Sequence, residues 1–68
     1  MDRGLKAFLA VAQEGSITAA ASKINLTQSS VTKRIATLES ETGVSLFYRD
    51  RRGMSLTEAG QLFLLRAE

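Results

Sequence analysis

Ala20-Ala21-Ser22-Lys23-Ile24-Asn25-Leu26-Thr27-Gln28-Ser29-Ser30-Val31-Thr32-Lys33-Arg34-Ile35 is the stretch whose reading decides the fold. It reads as two helices joined by a very short turn. Asn25 suits a left-handed turn position, and Thr27 is a cap for the helix that follows. On that helix Val31, Ile35, Leu38 and Thr42 fall in one narrow sector of the helical wheel, and Gly43 closes it. The opposite sector holds Ser29, Thr32, Lys33, Ala36 and Ser40, of which only Lys33 is bulky. A helix this slim on its outer face, braced by a second helix, is the helix-turn-helix device that enters a groove of duplex DNA. Glu39 and Glu41 lie a turn or more further on, where they would repel phosphate. The N-terminal end of the helix is therefore the end expected to meet nucleic acid.

Working outward toward the N-terminus, Leu5, Phe8, Leu9 and Ala12 recur at helical spacing and predict a helix from about Asp2 to Glu14, ended by Gly15. Ser16 or Thr18 caps the next helix, where Ala19, Ala20 and Ala21 let a neighbour approach closely. Toward the C-terminus the period changes after Gly43. Val44, Leu46 and Tyr48 alternate with Ser45, Phe47 and Arg49, which predicts a short strand. Arg51-Arg52-Gly53 makes a turn and Met54-Ser55-Leu56 returns as the partner strand, giving a hairpin with arginines near its tip. Thr57 caps a fourth helix, with Glu58 in its first turn. The apolar run Leu62-Phe63-Leu64-Leu65 is too wide for one core-facing stripe, and the chain stops at Glu68 with no capping signal. The expectation is a fragment cut inside a longer helix, whose second apolar face meets something outside this sequence. The predicted core is Phe8, Leu9, Ile24, Val31, Ile35, Leu38, Leu46 and Leu56. One of Phe47 and Tyr48 is expected to join it rather than stack on a base.

Composition narrows the function. At 68 residues the chain is one small domain with a modest core. It has no Cys and no His, so disulfides, thiolate metal sites, the common zinc sites and imidazole base catalysis are excluded. The net charge of +2 is mild, but Arg49, Arg51 and Arg52 cluster around a single Asp50. A local basic patch on a near-neutral domain points to a directed anionic partner. No apolar run is long enough to span a membrane, and Met1-Asp2-Arg3-Gly4 lacks the apolar core of a signal peptide, so a cytoplasmic protein is expected.

The whole chain resembles the N-terminal winged helix-turn-helix domain of LysR-type bacterial transcriptional regulators. The residues that carry the resemblance are Phe8, Ala12, Gly15-Ser16-Ile17-Thr18-Ala19-Ala20-Ala21, Leu26-Thr27-Gln28-Ser29, Val31-Thr32-Lys33-Arg34-Ile35, Leu38-Glu39, Gly43-Val44, Leu46-Phe47, Arg49 and Leu56-Thr57-Glu58-Ala59-Gly60, in register without an internal gap. The family's usual recognition stretch is Ser-Gln-Pro-Ala-hydrophobic-Ser-Arg, and here it is Thr27-Gln28-Ser29-Ser30-Val31-Thr32-Lys33. Thr27 and Thr32 keep the hydroxyls. Ser29 regains a backbone donor where Pro is frequent, and Lys33 keeps the charge without the bidentate fork of Arg. The resemblance implies a mainly α winged helix-turn-helix: a three-helix core, a short β-hairpin wing and the start of a C-terminal linker helix. It divides the chain into a DNA-binding domain at 1–58 and the start of a dimerising linker helix at 59–68. Leu64 and Leu65 become candidate dimer contacts. A C-terminal effector-binding domain, the seat of a small-molecule effector, is implied outside this chain. No cofactor is expected within it.

Gln28, Ser29, Thr32 and Lys33 are the candidates for base-edge contact, because Gln pairs bidentately with adenine while Ser, Thr and Lys accept several edges. The plain alternative is a solvated helix face. Thr18, Thr27, Ser30, Arg34, Arg49 and Arg51 are candidates for the phosphate backbone, and Arg52, just before Gly53 at the turn, for the minor groove. Thr18 and Thr27 have a second reading as helix caps, and Arg49 as a brace through Asp50 or a helix end. The function these residues support is sequence-specific binding of double-stranded DNA by a homodimeric transcription factor, with contact to RNA polymerase left open. A winged helix that docks a protein is the alternative. An enzyme is not expected, since Asp2, Glu14, Glu39, Glu41, Asp50, Glu58 and Glu68 show no catalytic pairing.

Overall fold

Local capping chemistry sets where each element begins and ends. The computed structural model describes residues 2–67. Helix α1, Arg3–Glu14, starts on the Asp2 carboxylate, which accepts from the N–H groups of Gly4 (2.6 Å) and Leu5 (3.3 Å). It ends at Gly15 in the left-handed region, whose N–H returns to the Val11 carbonyl. Helix α2, Ile17–Lys23, is capped by the Ser16 hydroxyl accepting from Ala19 N–H at 3.0 Å. Of the two predicted caps, Ser16 takes the role and Thr18 stays exposed in the first turn. The turn to α3 runs through Asn25 at φ 62°. Thr27 caps α3, Gln28–Thr42, by accepting from Ser30 N–H at 3.1 Å. The helix closes at Gly43.

The three helices meet around Phe8, Val11, Ala20, Val31 and Ile35, all fully buried. The alanines of α2 do what their size predicts: Ala20 and Ala21 are buried where the helices converge. Leu38 and Leu46 complete the predicted core, with Leu9, Ile24 and Leu56 partly buried against it. Thr42, placed in the apolar sector from the sequence, is exposed instead. Its hydroxyl donates to the Glu39 carbonyl at 3.2 Å, a satisfied helix-end position rather than a core one.

The hairpin pairs β1, Phe47–Asp50, antiparallel with β2, Gly53–Leu56, in the register Phe47 with Leu56 and Asp50 with Gly53. The turn is therefore Arg51-Arg52 alone, and the Asp50 carboxylate accepts from Arg52 N–H across it at 2.8 Å. The alternation read from the sequence is out of phase with the structure. Leu46 and Phe47 are both buried, while Val44 and Tyr48 are exposed. The reason is that residues 44–46 are not strand: they form a loop whose backbone is held by hydrogen bonds from two other elements, so two consecutive side chains reach the core.

That loop is a junction. The Glu39 carboxylate accepts from Leu46 N–H at 2.7 Å and from Phe47 N–H at 3.4 Å. Thr57 donates its hydroxyl to the Ser45 carbonyl at 2.7 Å and its N–H to the Leu46 carbonyl at 3.0 Å. The same hydroxyl caps α4, Glu58–Ala67, by accepting from Gly60 N–H. At the far side of the wing, Met54 N–H donates to the Gly15 carbonyl at 2.9 Å, fastening β2 to the α1–α2 corner. Gly53 sits beside this bond at φ 129°, and a Cβ there would collide with the Gly15 carbonyl oxygen. The wing is thus fixed at its base by α3 and α4 and at its flank by the α1–α2 corner.

The first turns of α4 belong to the core. Phe63 meets Phe8 edge-on at a centroid distance of 4.9 Å, and Leu64 is partly buried against the same cluster. Leu62 and Leu65 are exposed, at 53% and 77%. Any continuation of α4 past Glu68 lies outside the described residues.

Candidate nucleic-acid interface

Burial of Val31, Ile35 and Leu38 fixes the roll of α3 and so turns the opposite sector outward. Gln28, Ser29, Lys33 and Ala36 are exposed, and Thr32 is half-buried on the same side. At 15 residues α3 is about 22 Å long, enough to lie across a major groove about 12 Å wide. Only Gln28 and Lys33 extend far from this ridge; the rest is hydroxyl and methyl.

The predicted phosphate-contacting groups of the helices lie on α2 (Thr18), at the cap of α3 (Thr27) and on α3 itself (Ser30 and Arg34). Thr18 and Thr27 are exposed, and Ser30 and Arg34 are half-buried. For Thr27 the two readings coexist. Its oxygen accepts the capping bond, which leaves the hydroxyl proton free to donate to a phosphate oxygen. The first turn of α3 also has N–H groups without an intrahelical acceptor, the feature that suits a helix start to an anion.

Arg49, Arg51 and Arg52 are all exposed on the hairpin. Among the described residues the one ion pair is Lys23 with Glu14, so the wing arginines have no carboxylate partner there. Asp50 uses its carboxylate on the turn backbone rather than on Arg49. The alternative reading of Arg49, as a brace through Asp50, is therefore not what the structure forms. Arg49 pairs across the ladder with Met54, and Tyr48, on the other face, is solvent-exposed at 62%.

Two residues near the site are not legible as such in the sequence. Arg3, from the start of α1, lines a shared open groove with Ser30, Lys33 and Arg34 of α3. No local pattern could show this, because some 30 residues separate the two segments. Glu39, expected to repel phosphate, instead has its carboxylate on the backbone of the wing base. Among the described residues no three acidic side chains gather as a metal site, and no helix is long and apolar enough to cross a membrane.

The family model described as bacterial regulatory helix-turn-helix protein, lysR family, matches residues 3–61. The chain belongs to the LysR family. It is 52% identical over 64 residues to the HTH-type transcriptional regulator YofA of Bacillus subtilis (strain 168), covering 94% of this chain and 22% of YofA. Among solved structures it superposes on the CbnR DNA-binding domain in its DNA complex with a TM-score of 0.93 at 43% identity, covering 98% of this chain and 78% of that one. The BenM DNA-binding domain, in a complex with benA site 1 DNA, gives a TM-score of 0.91 at 37% identity, covering 98% and 76%. The chain thus spans about a fifth of the length of the curated relatives it matches.

Proposed function

We propose that this LysR-family chain binds double-stranded DNA sequence-specifically as the DNA-binding part of a transcriptional regulator. Helix α3 lies in the major groove, and the arginine hairpin reaches the adjacent backbone or minor groove. The observation that carries the reading is the two-sidedness of α3: Val31, Ile35 and Leu38 in the core, Gln28, Ser29, Lys33 and Ala36 in solvent. The fold match to domains crystallised with DNA supports it. The working unit is a homodimer in the cytoplasm, each copy reading one half of a two-fold site. The exposed Leu62 and Leu65 of α4, with Leu64 partly buried beside them, supply its apolar contact. A small-molecule effector acts through a part of the protein outside these residues.

The test is titration of labelled random-sequence duplex at low and moderate salt, followed by selection of bound sequences from the pool and footprinting of the winner. Binding that weakens steeply with salt is expected. No binding at low salt would remove the DNA reading in favour of a protein-docking module.

Two variants apportion the roles of wing and helix. Arg51→Ala with Arg52→Ala is expected to lower the slope of log affinity against log salt by about 0.9 for each phosphate no longer neutralised, hence by about 2. An unchanged slope would mean that the wing does not reach the backbone. Lys33→Ala is expected to weaken the selected duplex about tenfold while changing random duplex about twofold or less, since a base contact discriminates by about 1–3 kcal/mol. Equal losses on both duplexes would reassign Lys33 to phosphate.

A further inference from the structure

We infer that Glu39 is a positioning residue for DNA binding, which sets the wing relative to the recognition helix through its carboxylate. The inference rests on the proposed DNA reading and assigns a role within it. Glu39 is half-buried on α3, on the same helix as the groove-facing ridge but nearly two turns beyond Lys33. Its Oε2 accepts from Leu46 N–H at 2.7 Å and from Phe47 N–H at 3.4 Å. Leu46 is fully buried, and Phe47 is the first residue of β1. One carboxylate oxygen of α3 therefore grips the point at which the wing leaves the core.

The grip is charge-assisted, which makes it stronger than an ordinary neutral hydrogen bond. No cation competes for it, since the ion pair among the described residues lies elsewhere, between Lys23 and Glu14. Removing it strands two N–H groups in a part-buried loop, where an unmet donor is costly. The opposite flank of the wing stays fastened by Met54 N–H on the Gly15 carbonyl. Loss of Glu39 thus removes one of the two supports at the base of the hairpin, leaving the Thr57 bonds and the flank in place, and the expected result is a tilt of Arg49, Arg51 and Arg52 away from the backbone they contact. The sign of the effect separates this role from the simpler electrostatic one. A carboxylate that only repels phosphate makes binding tighter when it is removed. A carboxylate that places the wing makes binding weaker, although the protein has become more positive.

The experiment measures affinity and salt slope on a duplex selected from a random pool, for wild type, Glu39→Gln and Glu39→Ala, each with and without Arg51→Ala/Arg52→Ala. Thermal melts of every variant show which are folded at the assay temperature. Glu39→Gln keeps an acceptor oxygen and is the variant read if Glu39→Ala melts too low. Expected is a loss of about tenfold for Glu39→Ala and a smaller loss for Glu39→Gln, with a flattened salt slope, as one strong hydrogen bond and its dependent phosphate contacts would give. In the background without the wing arginines the same substitutions are expected to change affinity by less than about twofold, because coupled groups are not additive. Tighter or unchanged binding by both Glu39 variants overturns the role. So does an equal loss in both backgrounds, which would mark a general effect on folding. Failure of the wild type to bind any duplex at low salt overturns the DNA reading itself, and this role with it.

Discussion

Replacing Phe8 with Ala is expected to lower the melting temperature by about 15–30 °C and to abolish DNA binding at 37 °C, from a loss of about 3–5 kcal/mol. Phe8 is fully buried, and its ring joins three elements. It lies 5.3 Å from the Phe47 ring at the start of β1 and 4.9 Å, edge-on, from Phe63 of α4. Truncation removes the transfer energy of the ring, leaves a cavity between these elements and forfeits two aromatic pairings, each contributing about 0.5–1.5 kcal/mol beyond area. A domain of this size has a total stability of about 3–10 kcal/mol, so the loss is of the same order as the whole. Phe8→Leu keeps more of the volume and is expected to melt between the two. Thermal denaturation followed by circular dichroism decides it. A Phe8→Ala melt within about 5 °C of wild type would show that the three-ring cluster is not what holds the helices to the wing.

The rings also show how far the sequence can be read. Phe8 is legible because its helical period with Leu5 and Ala12 is local. The caps at Ser16, Thr27 and Thr57 and the turns at Gly15, Asn25 and Gly43 are legible for the same reason: each depends on a few neighbouring residues. The ridge on α3 follows from the period that buries Val31, Ile35 and Leu38. What is not legible is long-range. The phase of Leu46 and Phe47 depends on Glu39 and Thr57, which lie outside the segment whose alternation predicts a strand. Glu39 carries no local sign that its carboxylate is spent on backbone, so its formal charge suggests repulsion. Arg3 reaches the α3 groove only through the packing of α1 on α3. Leu64, grouped from the sequence with Leu65 as a dimer contact, is partly core, because α4 turns that side toward the helices.

Gly60→Ala sets local propensity against packing. On propensity alone, Ala in place of Gly in a helix stabilises by about 1 kcal/mol. The structure reverses the sign. A Cβ at Gly60 would collide with the backbone carbonyl oxygen of Leu46 and lie 3.0 Å from Leu56 Cδ2. The Leu56 side chain can move, but the carbonyl cannot move cheaply. It accepts from Thr57 N–H at 3.0 Å, and the N–H of the same residue is bound to Glu39 at 2.7 Å. Relief therefore requires α4 to lift from the wing base, or the loop at 44–46 to shift with the wing attached. Overpacking of this kind costs about 1–3 kcal/mol or more, which exceeds the propensity gain. The expected result is a melting temperature lower by about 10 °C, against little change for Gln61→Ala on the exposed side of the same turn. A shifted wing base also predicts weaker DNA binding in whatever fraction stays folded, with the salt slope flattened as in the variants lacking Arg51 and Arg52. A Gly60→Ala protein that melts higher than wild type would mean that α4 does not pack against the Leu46 carbonyl, and the junction that holds the wing would lose its second support.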